Sequence, residues 1–573
     1  MPYTLQCICR PKDAPEQTEY AADELRYYLS LMSGNPCPIL EDEAENAVIL
    51  EQTDTSDLGE DGFCLIPEKA SVRIRGGKRG ILYGVYELLE MLGCRFFTPE
   101  CEKVPTAEPV LTLEKEIRQV PILEYRHHNY IDLRRSPRFA VKSRVNGVPI
   151  PDKLGGYLSY AWFVHTFQRM VPPSVYGKEH PEYYAMLADG SRPQLNERFQ
   201  LCLTNPDVLD ISTESVRQGL KDNPKAKIIS ISQNDWRGNC QCEKCLAVDR
   251  EEGSPAGTLL RFVNAIAERL EGEFPDVIFD TLAYTYTRPA PKITRPRHNV
   301  CVRLCSIEAC FAHPFETCND ERRRVSRPDG TTSSFIADLR EWGQVSSRNY
   351  IWDYVTCFAH YPAPHPNWHV LQPNMRAFIR NNVKGLFEQG NGCQGGGVDM
   401  NELRCYLLTK LMWDAETDVE RHLREFTDHY YGEAGIFVRE YIETLCGKAE
   451  KDNIHVGFND QPTSELFSEE MLDIYDDILA RAEEAVAGDA LRCRRVQKIR
   501  LSVRWVRIKR AGMLRHEHNA EEINAFFTDW NSFGLTRIDE WVSHKSTLRA
   551  LLDDKWRGTA YLPHWTAEGG EIL

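Results

Sequence analysis

In this 573-residue sequence, side chains able to move protons recur at the ends of short apolar runs. The clearest case opens at Ile228, where a β-branched run stops at Asn234 and Asp235 and is followed by Trp236, Cys240, Cys242 and Cys245. A carboxyl can give or take a proton, and a carboxamide beside it can orient a polar group. Asn and Asp also favour turns, so the pair alone reads as well as a turn as it does as a site. Similar run ends carry His127 and His128, His165, Tyr284 and Tyr286, Glu308, Trp352 with Asp353 and Tyr354, and Glu388. Singly, each has an ordinary explanation, Trp352 as core and His165 as the cap of a turn. Gathered on one rim, the acids, imidazoles and rings acquire a shared chemistry.

That chemistry suits a carbohydrate. Rings stack on the apolar face of a pyranose, and carboxyl groups do acid and base work. Glycoside cleavage commonly uses two carboxyl groups, about 5 Å apart for retention and about 6.5–9.5 Å apart for inversion. An exception uses the 2-acetamido group of the substrate as nucleophile. Asn234 would then grip that group, Asp235 would protonate the leaving oxygen, and Tyr284 or Tyr286 would bind the acetamido oxygen. Glu308 competes with Asp235 as the acid, and His128, His165, Trp236, His313, Trp352, Asp353, Tyr354 and Glu388 are expected around the substrate. Neighbours on a regular strand face opposite ways, so the strand must end or bulge at Asn234 for both to face the site.

Eight short runs supply these ends: 122–128, 157–166, 200–205, 228–235, 277–286, 300–308, 350–354 and 383–389, with helices predicted over 256–270 and 334–342. The alternation is that of a (β/α)8 TIM-type barrel, an α/β fold whose chemistry sits at the C-terminal ends of its strands. Residues 1–115 read as a small α/β domain, 116–415 as the barrel and 416–573 as a helical domain packed on it.

A net charge of −16 makes a nucleic-acid polyanion an unsuitable partner. No apolar run is long enough to span a bilayer, and the first residues lack a basic segment followed by an apolar core. With 19 scattered cysteines, an odd number, reduced thiols and a cytoplasmic location are expected. No cofactor is expected. Cys240, Cys242 and Cys245 could hold structural zinc if a fourth ligand arrives, or could be reduced thiols shaping a loop; Cys301, Cys305 and Cys310 are expected in the core.

Five motifs in one order, Ser230-Ile-Ser-Gln-Asn-Asp-Trp236, Thr281-Leu-Ala-Tyr-Thr-Tyr286, Ser306-Ile-Glu-Ala-Cys-Phe-Ala-His-Pro314, Ile351-Trp-Asp-Tyr354 and Gly385-Leu-Phe-Glu-Gln-Gly390, resemble a domain family long of unknown function. That family includes the glycoside hydrolase family 163 endo-β-N-acetylglucosaminidases. The resemblance covers about 120–450, and residues 15–100 resemble the N-terminal domain of α-glucuronidases and β-hexosaminidases. It implies a barrel hydrolase acting on N-acetylglucosaminides of an oligosaccharide or glycan, with its catalytic pair after the fourth strand at Asn234 and Asp235. Two alternatives stand beside it. One is an α-glucuronidase-like hydrolase with Arg126 or Arg303 meeting a uronate, and the other is a carbohydrate-binding barrel without catalysis.

Overall fold

The computed structural model describes residues 2–552 except 55, 194–197, 516, 518 and 542, so the last part of the expected helical domain, 553–573, lies outside the described residues. Its centre is a curled, wholly parallel sheet of six strands: β1 (Tyr125–His128), β2 (Ile228–Ser230), β3 (Ile278–Ala283), β4 (Val300–Cys305), β5 (Asn349–Tyr354) and β6 (Val383–Gln389). Their order across the sheet is β1-β6-β5-β4-β3-β2. Helices Pro255–Leu270, Phe335–Val345 and Leu371–Arg380 cross between them, and Ser254 and Ser334 cap the first two through their hydroxyls.

Six of the eight expected strands form, and the regular sheet is a half-barrel. Residues 157–166 run beside β2 and bond to its backbone, Ala161 N–H to Ile228 O at 2.8 Å and Ser230 N–H to Trp162 O at 3.0 Å, without forming a regular strand. Tyr160 makes a single bridge to Ile228, and farther along Thr166 uses its side chain, donating to the Ser230 carbonyl and accepting from the Ser232 N–H. At the other edge the Asn146 and Gly147 N–H groups reach the Arg126 carbonyl, and Leu158 N–H reaches Asn146. Residues 200–205 form no strand, and Leu201 only bridges Tyr184.

Strand alternation sorts the side chains by face. Inside the curl lie Tyr125, Ile228, Cys301, Tyr350 and Phe387, with Tyr160 and Trp352 packed on them. Arg303 stands in their midst, wholly buried, 3.1 Å from Asp280 and 5.4–5.6 Å from the rings of Tyr125, Tyr160, Phe163 and Tyr350. Gly385 leaves room for this column, because a Cβ there would meet the Tyr350 ring at 2.5 Å.

Before the barrel, a mixed six-stranded sheet runs in the order Ile117–Gln119, Phe63–Pro67, Val72–Gly76, Ala47–Gln52, Cys7–Cys9, Ile39–Leu40. Helix Glu16–Ser33 buries a stripe of Leu25, Tyr28, Leu29 and Met32, and ends at Gly34 with φ 73°. After the barrel come Val419–Tyr430, Gly435–Lys451, Glu469–Ala485, Ala490–Arg510 and Ala520–Ser532, with a core of their own. This helical part reaches back to the sheet's C-terminal rim: Phe311 N–H bonds Val456 O at 2.7 Å, and Glu540 N–H bonds Phe358 O at 3.2 Å.

Candidate active site

The strand carrying the first motif ends early. Regular pairing stops at Ser230, and the chain runs on irregularly to Asp235, so the two neighbours are not bound to strand alternation. Asp235 is exposed at the rim, and its Oδ1 accepts from the Tyr284 hydroxyl at 3.0 Å. Asn234 has a different employment. Its Oδ1 accepts from Gln168 N–H at 3.1 Å and its Nδ2 donates to Phe199 O at 3.0 Å, so its carboxamide ties two loops together instead of facing outward. Gln200 clamps the same segment, accepting from Asn234 N–H at 3.1 Å and donating to the carbonyls of Asn234 and Trp236.

Glu308 follows β4 on the same rim. Its Oε2 lies 3.1 Å from the buried Arg288 guanidinium, which also holds Asp338 at 2.7 Å, while Oε1 is buried with no partner among the described residues. Burial, followed by the charges of Asp235 and Glu308, holds the Tyr284 hydroxyl well above the ordinary phenol range. The same two carboxylates raise Tyr354, again after burial. Both carboxylates therefore converge on two phenols. His165 joins them, its ring centre 6.0 Å from that of Tyr284 and its Nδ1 2.8 Å from Gln233 O, at a backbone φ of 59°.

Rings make one wall of the site. Phe163 and Trp352 lie 5.5 Å apart, Trp352 and Tyr354 6.3 Å, and Tyr354 and Phe458 5.4 Å, with Trp541 beyond at 6.2 Å from Phe458. Phe163 and Trp541 keep about two-fifths of their surface in solvent. The last two rings belong to the helical part. So does Glu540, whose Oε1 accepts from Gln389 Nε2 at 2.9 Å, while Gln389 Oε1 accepts from the Trp352 indole at 2.7 Å. Burial first, and then the charge of Asp235, push Glu540 up to about 7 despite that amide bond.

Three expected substrate contacts, His128, Asp353 and Glu388, turn the other way. They pair in register across β1, β6 and β5, on the face opposite Phe387 and Trp352. His128 Nε2 meets Cys405 of helix Asn401–Trp413 at 3.6 Å, and burial drops it to about 3. Asp353 accepts from the Ser306 hydroxyl and is pushed up to about 6 by burial. Burial and then the Asp353 charge push Glu388 well above the carboxylate range, so the pair holds a proton between them. The residues that face inward are their neighbours His127, Trp352, Tyr354 and Gln389.

Other expected residues disperse. Tyr286 lines a small cavity with Asp249, Cys240 and Cys245, to which Tyr284 does not contribute. Trp236 lies under the Arg198 guanidinium at 5.0 Å. His313 lies against Cys310 Sγ at 3.4 Å and the ring of His455 at 4.5 Å. Cys301, Cys305 and Cys310 pack in the core as expected, and Cys310 also lies in a side-chain cluster with Cys318 and His455. Arg126 and Arg303 are wholly buried in ion pairs with Asp61 and Asp280, so neither is free for a uronate. Gln200, Arg288, Gln389 and Glu540 were not anticipated. Gln389 was within reach of a period-two reading of its strand, but Glu540 lies some 150 residues beyond the last strand and carries no local signal.

No curated protein matches the chain. Among solved structures it superposes on a family GH115 4-O-methyl-α-glucuronidase with specificity for decorated arabinogalactans, with TM-score 0.57 and 14% identity, covering 96% of this chain and 77% of that one. It also matches a GH138 enzyme targeting pectin rhamnogalacturonan II, with TM-score 0.46, 10% identity and coverage of 96% and 92%. The Streptomyces plicatus N-acetyl-β-hexosaminidase gives TM-score 0.41, 13% identity and coverage of 77% and 93%. At these identities the first likeness is one of fold. The sequence model described as Domain of unknown function (DUF4838) matches residues 96–443, more than half of the chain, and the chain belongs to that family.

Proposed function

We propose that this protein is a glycoside hydrolase acting on N-acetylglucosaminides of an oligosaccharide or glycan, with the substrate's own acetamido group as nucleophile. The observation that carries it is the pairing of the Asp235 carboxylate and the Tyr284 hydroxyl at 3.0 Å on an aromatic-walled rim. An acetamido group presents one N–H and one C=O, and an adjacent acceptor and donor match both. Asp235 takes the N–H and orients the amide, and Tyr284 donates to its oxygen. Asn234, expected in that orienting role, has its carboxamide engaged elsewhere.

Proton delivery then falls to another carboxyl. Glu540 is pushed up to about 7 by burial and by the charge of Asp235, which suits a group that gives up a proton near neutral pH. Glu308, ion-paired with Arg288, supplies fixed negative charge for the oxocarbenium-like transition state. A second assignment keeps Asp235 as the acid and Glu308 as the second carboxylate, and the exposure of Asp235 favours it. The motif resemblance to family 163 endo-β-N-acetylglucosaminidases supports the substrate class, and the fold likeness to a glucuronidase supports glycosidic chemistry on this scaffold. A cytoplasmic location is part of the same proposal, supported by 19 cysteines, all unpaired.

The test is hydrolysis of matched aryl glycosides. Turnover of 2-acetamido substrates, with inhibition by a thiazoline mimic of the cyclised intermediate, is expected. Equal turnover of 2-hydroxy glycosides, or of glucuronides alone, would overturn the acetamido mechanism. Saturable glycan binding without release of reducing ends would replace the enzyme by a binding barrel.

A further inference from the structure

The cysteines beside Asp235 acquire a fourth member that no local motif reveals. Cys202, from the loop expected as a strand, places its Sγ 3.8 Å from Cys242 and 4.0 Å from Cys245, and the Sγ atoms of Cys202, Cys240, Cys242 and Cys245 all lie within 4.8 Å of one another. A disulfide needs about 2.05 Å, so these are not bonded pairs. Tetrahedral zinc with Zn–S of about 2.3 Å sets its sulfurs about 3.8 Å apart. Three of the four cysteines are buried. The surroundings are those of thiolates. Cys240 Sγ accepts from Met186 N–H at 3.4 Å, Cys245 Sγ lies 3.2 Å from the Thr204 hydroxyl, and Cys245 stands in the first turn of helix Glu243–Glu252, whose N-terminus favours negative charge.

We propose that Cys202, Cys240, Cys242 and Cys245 bind one structural zinc ion, and that this ion positions the rim carboxylate Asp235. The linkage is short. Gln200, two residues before Cys202, grips the backbone on both sides of Asp235, through Asn234 N–H, Asn234 O and Trp236 O. Cys240 anchors the other end of the same loop five residues on. A metal joining Cys202 to Cys240 thus fixes both ends of the segment that presents Asp235. Four thiolates leave no open coordination position, so the ion has no part in the reaction.

Metal analysis of the intact protein, expressed with zinc and purified without chelator, tests this directly. Stoichiometric zinc is expected. Cys202→Ser and Cys245→Ser should each remove one equivalent, and cobalt in its place should show strong thiolate-to-metal charge-transfer absorption. Cys202→Ser should also lower kcat, whereas Cys393→Ser, a control outside the cluster, should keep its full zinc content. If the variants do not fold, titration of the wild type with a mercurial should release one zinc per four thiols. Folded, zinc-free wild type, bound iron, disulfides among these cysteines, or full zinc in Cys202→Ser would each overturn the assignment.

A second cluster carries its own inference. Cys310, two residues after Glu308, lies with its Sγ 3.4 Å from His455 Nδ1, and Cys318 Sγ is 3.9 Å from that same nitrogen. Zinc with sulfur at about 2.3 Å and nitrogen at about 2.0 Å sets S and N about 3.5 Å apart. His313 Nδ1 lies 3.4 Å from Cys310 Sγ but outside the group of three whose ligand atoms all lie within 4.8 Å of one another, so its ring must turn to complete the set. We infer a second zinc here, pinning the loop after Glu308 to the helical part that supplies His455. Two equivalents in the wild type and loss of one in His455→Ala, with the four-cysteine site still filled, are expected. A wild type holding one equivalent, removed by Cys202→Ser, would overturn this second site alone.

Discussion

The Tyr284 hydroxyl donates to Asp235 Oδ1 at 3.0 Å, joining the end of β3 to the loop after β2 across the mouth of the half-barrel. In the proposed mechanism, the phenol that donates to the acetamido carbonyl and the carboxylate that accepts from its N–H are thus held together before any substrate arrives. Asp235→Asn keeps the shape and removes the charge, and should lower kcat/KM on a 2-acetamido glycoside by roughly 10²–10⁴-fold. Tyr284→Phe should cost roughly 10²-fold, the usual loss for one donor to a developing anion. Melting temperatures of both variants should stay close to wild type. Wild-type rates in either would remove this pair from the mechanism.

Glu540 makes the pH dependence specific. With its carboxyl pushed up to about 7 by burial and by Asp235, the proposed proton donor is lost as pH rises through that value. The rate should therefore fall on the alkaline side of pH 7, and Glu540→Gln should lose this limb together with most of its activity. The sign for stability follows from the same shift. A carboxyl whose folded value is raised contributes stability that is full below the unfolded value, near 4.3, and disappears as pH climbs through 7. Glu540→Gln should therefore gain on wild type in urea midpoint above pH 7. A variant that keeps an unaltered alkaline limb would transfer the acid role to Asp235.

How much of this was legible beforehand depends on the physical origin of each feature. β4 and β6 follow from β-branched and apolar runs, and their predicted limits hold to within a few residues. Residues 157–166 pair with β2 in a regular way only around Tyr160 to Trp162, and farther on Thr166 adds its hydroxyl to its backbone bond, an interaction with no periodic trace in sequence. Residues 200–205 failed because that loop is shaped by Gln200 and Cys202 reaching distant partners. The position of run ends was readable, but their parity was not. The end of an apolar run says where the chain emerges, and a one-residue shift decides which face is presented. Hence His127 and Gln389 face the site where His128 and Glu388 are expected, and of the expected run Trp352, Asp353 and Tyr354 only the two rings face it. Glu540 and Phe458 could not be read at all, since only folding brings them over the sheet.

Buried histidines make acid stability a sensitive readout. Burial drops His128 and His360 to about 3 and His422 to about 4. A group with a depressed folded value contributes stability present above its unfolded value, near 6.5, and lost as pH falls toward the folded one. Each such group costs about 1.4 kcal/mol per pH unit across that window. Urea midpoints should therefore decline steadily from pH 6.5 to 4.5, and His128→Gln should flatten the slope. A midpoint constant across this range would mean that these rings reach solvent.

Arg303 separates a structural from a substrate-binding role for the barrel's central cation. It is wholly buried, paired with Asp280 at 3.1 Å, and enclosed by four rings, with the Tyr160 hydroxyl also on its guanidinium. An arginine meeting a uronate would need an open path from the rim, and here Trp352, Phe163 and Phe387 pack together, tilted or edge to face, with ring centres 4.8–5.9 Å apart. Removing one partner of a buried pair typically costs about 3–5 kcal/mol, because the other charge is left unpaired. Arg303→Met should therefore lower the melting temperature sharply, and Arg303→Met with Asp280→Leu should recover much of the loss, since two well-packed apolar groups leave no charge behind. Selectivity between acetamido and uronic-acid glycosides should be unchanged in the double variant. If Arg303→Met instead left stability intact and abolished activity on glucuronides, the guanidinium would be a substrate ligand and the sugar at this rim an acid.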